Sequence, residues 1–237
     1  MTLLVLDTAQ GLCTVALGRD GRVIASRSEP MTRGHQERLP VLVEAVLAET
    51  GISVSALQVV AATRGPGSFT GLRVGLAFAQ GLAAATGARP IGLSSLDALA
   101  VQAHLAAPES PSPIAAVMDA RRGQVYLALW QAGEGDHDSA TNRTLIHGPV
   151  PMSLDDAAAL VATGTPPALC IGSGAALVGE LGPGTTVVEG PNPEALVHLA
   201  TIRADQPDSV GLDPLYLRAP DATPPTRLPG QPRPDRA

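Results

Sequence analysis

One arrangement of short apolar runs occurs twice in this chain of 237 residues, and it restricts the folds that the sequence can adopt. The first copy is the run Leu3–Asp7, which turns at a glycine into a second run, Cys13–Leu17. The second copy is Ile114–Asp119, which turns into Val125–Trp130. Short apolar runs separated by glycine-containing turns are typical of paired strands. The repeat predicts two related lobes, each of which opens with a strand, an acidic residue, a turn and a returning strand.

Strand and helix patterns alternate along the rest of the chain. The apolar positions of Leu39–Leu47 follow the i, i+3, i+4, i+7 spacing of a helix, with Pro40 in its first turn unless the helix begins as early as His35. Further helices are predicted at Phe69–Thr86, Leu96–Ala106, Leu154–Ala162 and Pro193–Ala204, and further strands at Val23–Ser26, Leu57–Ala62, Pro90–Leu93 and Ala168–Ile171. This alternation predicts the α/β class. Two such lobes favour the duplicated actin-like ATPase fold (the ASKHA, ribonuclease H-like architecture), in which nucleotide phosphates lie between the lobes.

Proline-rich stretches mark the predicted domain boundaries. Residues 1–107 form an N-terminal lobe that carries the candidate partner-binding helices, and residues 108–113 (PESPSP) form a linker. Residues 114–218 form a smaller C-terminal lobe. Residues 219–237 are rich in proline and contain few apolar side chains, so we expect a disordered tail.

The overall composition excludes several functions. The formal net charge is −6, and because phosphate binding needs clustered cations, we do not expect this chain to hold nucleic acid alone. Aromatic residues make up 2% of the chain, which argues against base-stacking surfaces. No apolar run reaches the roughly 18 residues of a membrane span, and no basic stretch of a secretory signal precedes the first strand. We therefore expect a soluble cytoplasmic protein.

The predicted helix Phe69–Thr86 is unusual because small residues recur on it every four positions, at Gly71, Gly75, Ala79 and Ala83. Such a ridge lets another helix approach closely. Glycine costs about 1 kcal/mol relative to alanine inside a helix, so the ridge needs a packing or functional reason. Burial within the chain and contact with a partner both remain open. Under the second explanation, the interface consists of Leu39, Leu42, Val43, Val46, Phe69, Gly71, Leu72, Gly75, Leu76, Ala79, Leu82 and Ala83.

The first predicted helix has spare apolar surface as well. Val41, Ala45 and Ala48 form a second apolar strip beside its core face. Two neighbouring helices with spare apolar surface could join two helices of another protein in a four-helix packing.

One carboxylate closes the first strand of each repeat, Asp7 in the first and Asp119 in the second, and the pair raises the question of a nucleotide site. The candidate site consists of Asp7, Thr8, Asp119, Gly172 and Gly174. Carboxylates at strand ends can hold a metal-bound nucleotide, but the same residues also fit ordinary strand-end and turn acids. Arg121 and Arg122 stand in the second turn, where small residues would be needed to cradle a phosphate. We therefore expect any nucleotide site to be vestigial.

No residue pattern predicts catalysis or metal binding by this chain. None of the five histidines lies three to five residues from another, so the sequence has no helical metal pair. Cys13 and Cys170 lie in apolar runs, where small buried thiols are common. The glycine-rich turn before Phe69 lacks the lysine of a P-loop. We predict no catalytic residue, no metal ligand and no cofactor requirement.

Five segments resemble the TsaB family, also called YeaZ. They are Leu3–Leu17 (LLVLDTAQGLCTVAL), His35–Leu47, Gly65–Leu82 (GPGSFTGLRVGLAFAQGL), Asp119–Tyr126 (DARRGQVY) and Pro214–Arg218 (PLYLR). The resemblance covers nearly the whole chain except the proline-rich tail, and the combination of GPGSFTGLR with DARRG is highly specific. The predicted loop Gly133–His147 departs from the family pattern.

The resemblance implies an actin-like fold and a non-catalytic role. TsaB proteins pair with their catalytic paralogue TsaD. With TsaE they support transfer of a threonylcarbamoyl group from its adenylate to N6 of adenosine 37 in tRNAs reading ANN codons, which gives t6A. The resemblance further implies that tRNA is held only through the complex, that ATP or ADP could lie at the complex interface, and that the isolated chain forms a homodimer. The contact helices of the family correspond here to Leu39–Leu47 and Phe69–Ala83.

The resemblance does not imply peptidase activity, although the family has carried glycoprotease and M22 peptidase names. The paired metal histidines of the catalytic paralogue have no counterpart among the five histidines of this sequence.

Overall fold

The computed structural model describes residues 1–132, 143–163, 168–179, 184–207 and 209–218, and it contains two five-stranded sheets. The first sheet has the order β3-β2-β1-β4-β5 and consists of β1 (Thr2–Asp7), β2 (Leu12–Arg19), β3 (Arg22–Pro30), β4 (Val59–Gly65) and β5 (Arg89–Ser94). The second has the order β10-β9-β6-β7-β8 and consists of β6 (Ile114–Arg121), β7 (Gln124–Ala132), β8 (Arg143–Ser153), β9 (Leu169–Ile171) and β10 (Thr185–Thr186).

The two sheets have the same topology. In each, the first strand pairs antiparallel with the second strand and parallel with the fourth. The predicted α/β class and the duplicated two-lobe fold are therefore confirmed.

Six α-helices and one short 3₁₀ helix (Val54–Ala56) complete the described elements. The α-helices are α1 (His35–Thr50), α2 (Phe69–Thr86), α3 (Ser95–Ala106), α4 (Leu154–Ala162), α5 (Ala175–Val178) and α6 (Pro193–Asp205). The hydroxyl of Ser68 caps α2 by accepting a hydrogen bond from the backbone N–H of Gly71, and Gly87 ends it in the left-handed conformation. Helix α1 begins at His35, so Pro40 lies inside the helix and not in its first turn. None of the helices in the described ranges is long and apolar enough to cross a membrane.

The first sheet is covered by helices on both faces. Leu4 and Leu6 of β1 belong to the core cluster that includes the buried residues of α1 and α2. Leu3 and Val5 belong to the cluster on the opposite face, which includes the buried residues of α6. A strand that is buried on both faces needs apolar side chains at every position, which explains the unbroken apolar run at the start of the chain.

The C-terminal part of the chain returns to the first lobe, so the predicted lobe 114–218 is wrong beyond residue 192. A Cβ atom placed on Gly18 of β2 would lie 2.7 Å from Cγ1 of Val197 in α6. The segment 209–218 then continues along the first lobe, where the N–H of Gly92 donates to the carbonyl of Val210 and the N–H of Leu215 donates to that of Arg64. The face of the first sheet opposite α1 and α2 is apolar and has to be buried, and α6 buries it.

The structure also contains a strand that the sequence did not predict. The predicted loop Gly133–His147 gives way at Arg143 to β8, the edge strand of the second sheet. The buried guanidinium of Arg143 anchors the strand by donating to the carbonyls of Ser110 and Ser112. Residues 133–142 of that loop and the predicted tail 219–237 lie outside the described residues.

Candidate functional site

A cleft of about 840 Å³ lies where the hairpin ends of the two lobes meet. Its lining comes from the β1–β2 turn, the start of α2, the β6–β7 turn and the segment 215–218. The hydroxyl of Ser173 joins the lobes across this cleft. It donates to Oε1 of Gln10 at 3.0 Å and accepts from the N–H of Asp119 at 3.1 Å. This bridge keeps the two hairpin ends close together.

Asp7 lies in the core and does not line the cleft. It is 1% exposed, and its Oδ1 accepts hydrogen bonds from the Thr63 hydroxyl at 2.5 Å and from the N–H of Ala9 at 3.1 Å. Its Oδ2 has no hydrogen-bond partner among the described residues, and a Cβ atom on Gly190 would lie 3.3 Å from it. Asp7 therefore closes off the end of β1, whereas Asp119 lines the cleft.

The buried carboxyl of Asp7 gives the protein a predictable pH dependence. Burial raises the pKa of Asp7 above its usual value, while the Thr63 and Ala9 hydrogen bonds and the charge of His35 act in the opposite direction. The folded state therefore keeps this proton to a higher pH than the unfolded state. The resulting stabilisation is complete at low pH and is lost as the pH rises through the pKa of the folded state.

Replacing Asp7 by asparagine should remove this titration. From about pH 4 upward, the wild type should lose up to about 1.4 kcal/mol of stability per pH unit relative to Asp7→Asn, until the pKa of the folded state is passed. Urea unfolding of both proteins over a series of pH values measures this difference. Parallel pH profiles would contradict a raised pKa.

The remaining members of the candidate nucleotide site also have structural roles. The hydroxyl of Thr8 donates to the carbonyl of Gly71 in α2. Gly172 has φ 124°, and a Cβ atom there would collide with the carbonyl oxygen of Val117. A Cβ atom on Gly174 would lie 3.0 Å from the backbone nitrogen of Asp119. Within this set, Asp119 alone lines the cleft, so the structure does not bring the five residues together in one pocket.

The cleft does not fit a nucleotide phosphate chain. Oδ2 of Asp119 forms an ion pair with Arg121 at 2.9 Å, so the second hairpin turn carries a long side chain where a phosphate cradle would need small residues. A Cβ atom on Gly11 would lie 2.5 Å from Oε2 of Glu189, so a carboxylate occupies the space beside the first hairpin turn. A phosphate placed there would meet like charge. ATP or ADP at an interface with a partner stays a prediction.

The small-residue ridge of α2 faces the interior of the chain. A Cβ atom on Gly71 would collide with the backbone carbonyl oxygen of Thr8, and a Cβ atom on Gly75 would collide with Oγ1 of the same threonine. The predicted interface residues that the structure buries are Leu39, Leu42, Val43, Val46, Gly71, Leu72, Gly75, Leu76, Ala79 and Ala83. The prediction that these ten buried residues contact a partner is therefore wrong. In α2, the glycines are needed for packing against the segment that follows β1. Phe69 and Leu82 do reach the surface.

The opposite side of α2 leaves apolar surface uncovered. Together with the adjacent strip of α1 it forms what we call the outer face, whose residues are Val41, Ala45, Ala48, Val74, Ala77, Phe78, Gln80, Gly81, Leu82, Ala84 and Ala85; all are exposed or only partly buried. Arg73 is the only charged residue in α2. The solvent side of a surface helix normally carries several charges, so this face has the composition of an interface.

Gly81 is the residue of α2 that the fold itself does not explain. It lies inside the helix and is exposed, and a Cβ atom there would meet none of the described residues within 4 Å. Glycine at an exposed position inside a helix costs about 1 kcal/mol relative to alanine. The sequence contains the signal for this residue, because Ala77, Gly81 and Ala85 form a second series with a spacing of four.

The part of the chain that the structure describes shows neither a metal-binding cluster nor an exposed thiol. No three histidine, cysteine or acidic side chains there come close enough to hold a metal ion. Cys13 and Cys170 are buried, and burial raises the pKa of each thiol to about 11. Both thiols therefore stay protonated near neutral pH and are poor nucleophiles.

Comparison with known proteins gives consistent matches. The family model for TsaD, tRNA N6-adenosine threonylcarbamoyltransferase, matches residues 23–149. The Escherichia coli tRNA threonylcarbamoyladenosine biosynthesis protein TsaB is 40% identical over 134 residues, which cover 56% of this chain and 57% of that protein. An uncharacterized protein of Mycobacterium tuberculosis is 34% identical over 226 residues, 94% of each chain.

Similarity to a solved structure extends over both lobes. YeaZ from Pseudomonas aeruginosa has a TM-score of 0.73 and 30% sequence identity, and the match covers 91% of this chain and 99% of that one. The chain matches little more than half the length of the E. coli and Haemophilus influenzae TsaB proteins. Because the family model spans more than half of the chain and the YeaZ fold spans nearly all of it, the chain belongs to the TsaB (YeaZ) family.

Proposed function

We propose that this chain is a non-catalytic subunit that binds TsaD and supports threonylcarbamoylation of N6 of adenosine 37 in tRNAs reading ANN codons. The relatives named tRNA threonylcarbamoyladenosine biosynthesis protein support the process, and the matching TsaD family model supports a paralogous partner. The observation that carries the proposal is the uncovered outer face of α1 and α2.

The outer face has the features of a helix-packing interface. Val74, Phe78 and Leu82 lie one turn apart and are only partly buried, so a partner helix can complete their burial. Gly81 lies beside them and lets the backbone of a partner helix come close. Val41 of α1, which is 47% exposed, extends the surface for a second partner helix. Two helices from each protein would give the four-helix packing.

The states of the two strand-end carboxylates and of the two thiols support a non-catalytic role. Asp7 is enclosed, Asp119 is paired with Arg121, and the two thiols are protonated near neutral pH. The group transfer then belongs to TsaD, with TsaE as a further partner of the complex. We also propose that the isolated chain forms a homodimer through the same outer face, and that the complex works in the cytoplasm.

A reconstituted reaction tests the proposal. TsaD, TsaE, an unmodified tRNA transcript and threonylcarbamoyl adenylate are incubated with and without this chain, and t6A is measured by mass spectrometry. Adding the chain should raise the rate of t6A formation by about tenfold or more, because it stabilises the active form of TsaD. The chain without TsaD should form no t6A.

Two results would contradict this function. One is t6A formation by TsaD at the same rate with and without the chain. The other is magnesium-dependent ATP hydrolysis by the purified chain that is lost in an Asp119→Asn variant, since that would make the chain an enzyme in its own right.

A further inference from the structure

The few aromatic side chains of this protein are concentrated at the cleft. The chain has only five aromatic residues, and three of them, Phe69, Tyr126 and Tyr216, line the cleft. Phe69 is 48% exposed and Tyr216 is 41% exposed, with their ring centroids 5.3 Å apart. The low aromatic content argued against base stacking, but composition does not report where the rings lie. In the structure, Phe69 and Tyr216 form one exposed pair.

Arg73 contacts both rings of this aromatic pair, and Arg121 and Arg218 line the same cleft. The guanidinium carbon of Arg73 lies 3.7 Å above the ring of Phe69, and its Nε donates to the hydroxyl of Tyr216 at 3.1 Å. Two residues further on, Arg218 donates to the carbonyl of Ala120 at 3.1 Å. Arg121 and Arg122 follow Ala120 in the β6–β7 turn. We call this surface the cleft rim; it consists of Phe69, Arg73, Arg121, Arg122, Tyr216 and Arg218.

The β6–β7 turn presents its arginines to solvent in an unusual way. Arg121 and Arg122 have φ 64° and 57°, a left-handed conformation that favours glycine and asparagine over long side chains. The side chain of Arg121 is 84% exposed, and Arg122 is exposed as well. Two consecutive arginines at strained positions indicate a role for their charge.

The wall of the cleft and its rim differ in charge. Glu189 lies against Gly11 in the wall, while the carboxylate of Asp119 is paired with Arg121 of the rim. The carboxylate of Glu189 disfavours phosphates inside the cleft. The arginines at the rim attract phosphates at its edge. A ligand that fits this arrangement presents a planar ring to Phe69 and Tyr216 and keeps its phosphates outside.

We propose that the cleft rim binds an unpaired nucleotide segment of the tRNA, with a base stacked on Phe69 and Tyr216 and phosphates held by Arg121 and Arg122. This inference rests on the proposed function, which brings tRNA to the complex. Aromatic rings and guanidinium groups are the usual partners of unpaired RNA bases. Because the whole chain has a net charge of −6, the rim adds to the affinity of the complex and does not hold tRNA alone.

Two variants of this chain test the rim. Arg121→Asn with Arg122→Asn removes both charges but keeps a residue type that tolerates the left-handed turn. Phe69→Leu removes the ring but keeps an apolar side chain. The matched control is Arg19→Asn with Arg22→Asn, which makes the same charge change at exposed positions of the β2–β3 hairpin. The cleft lies at the end of the β1–β2 ladder where Asp7 pairs with Thr14. Arg19 pairs with Thr2 at the opposite end, so the control lies far from the cleft.

The probe is an unmodified tRNA transcript, titrated into the preassembled complex with TsaD at several salt concentrations. The double arginine variant should weaken binding about tenfold and reduce the slope of log affinity against log salt by about 1.4, or about 0.7 for each lost contact to single-stranded phosphate. Phe69→Leu should weaken binding about tenfold at an unchanged slope. The control should match the wild type in both measures.

Assembly with TsaD is measured separately, without RNA, for every variant. Wild-type tRNA affinity and salt slope in both rim variants would overturn the inference. The inference would also be wrong if the rim variants weakened assembly with TsaD but left the tRNA affinity of the assembled complex unchanged. The rim would then be a protein contact. Failure of the wild-type chain to assemble with TsaD would overturn the proposed function first and this inference with it.

Discussion

A Gly81→Arg variant should lose about 100-fold or more in affinity for TsaD while its own free energy of unfolding rises by about 1 kcal/mol. The gain in stability follows because arginine is a good helix former, and a Cβ atom at this position meets none of the described residues within 4 Å. The loss of affinity follows because a long charged side chain would stand where a partner helix comes closest. A substitution that stabilises the fold and prevents assembly separates the two roles of α2.

The control for Gly81→Arg is Ala159→Arg, which places the same side chain at an exposed position of α4 in the second lobe. Calorimetry with TsaD gives the affinity, and urea unfolding gives the stability. The control should bind TsaD like the wild type. Full affinity of Gly81→Arg would exclude the outer face as the binding surface, and a loss of stability would show that position 81 is covered within the chain.

The sequence singled out α2 as a candidate contact helix, but the small-residue ridge that it offered to a partner is buried within the chain. Two series of small residues with a spacing of four run along it, one through Gly71 and Gly75 and one through Ala77 and Gly81. Periodicity alone does not tell which series faces inward. The answer depends on Thr8, which is more than sixty residues away in sequence and lies directly beneath Gly71 and Gly75.

The same dependence on distant residues explains the other differences between sequence and structure. Local patterns predicted most of the strands and helices, because apolar spacing and capping residues act within one element. They did not predict that α6 packs on the first sheet, since that depends on Gly18 leaving room for Val197. They also missed β8, which Arg143 anchors through the carbonyls of Ser110 and Ser112 across the preceding hairpin.

The candidate site could be predicted only in part for a similar reason. Asp7 and Asp119 occupy equivalent positions in the two repeats, and this symmetry suggested a shared site. The structure breaks the symmetry, because Gly190 packs against Asp7 while Asp119 remains in the cleft. Amino-acid composition could not predict the aromatic pair of the cleft rim, because Phe69 and Tyr216 come together only when the C-terminal segment folds back onto α2.

Replacing each of the three glycines of α2 by alanine should give effects of opposite sign within one helix. Gly71→Ala should destabilise the chain by about 3 kcal/mol or more, because the new Cβ atom meets the backbone carbonyl of Thr8, which cannot rotate away. Gly75→Ala should cost about 1 to 3 kcal/mol, because the obstacle there is the Thr8 hydroxyl. Gly81→Ala should stabilise the chain by up to about 1 kcal/mol.

A second substitution distinguishes the two buried glycines. Thr8→Ala removes the hydroxyl but leaves the backbone carbonyl in place, so it should relieve the clash of Gly75→Ala but not the clash of Gly71→Ala. Urea unfolding of the single and double variants gives the coupling energies, which should be larger for the Gly75 pair than for the Gly71 pair, where only the hydrogen bond from Thr8 to the Gly71 carbonyl is shared. Equal and small effects of all three alanines would mean that the ridge does not pack on β1, and the assignment of the outer face would then have to be reversed.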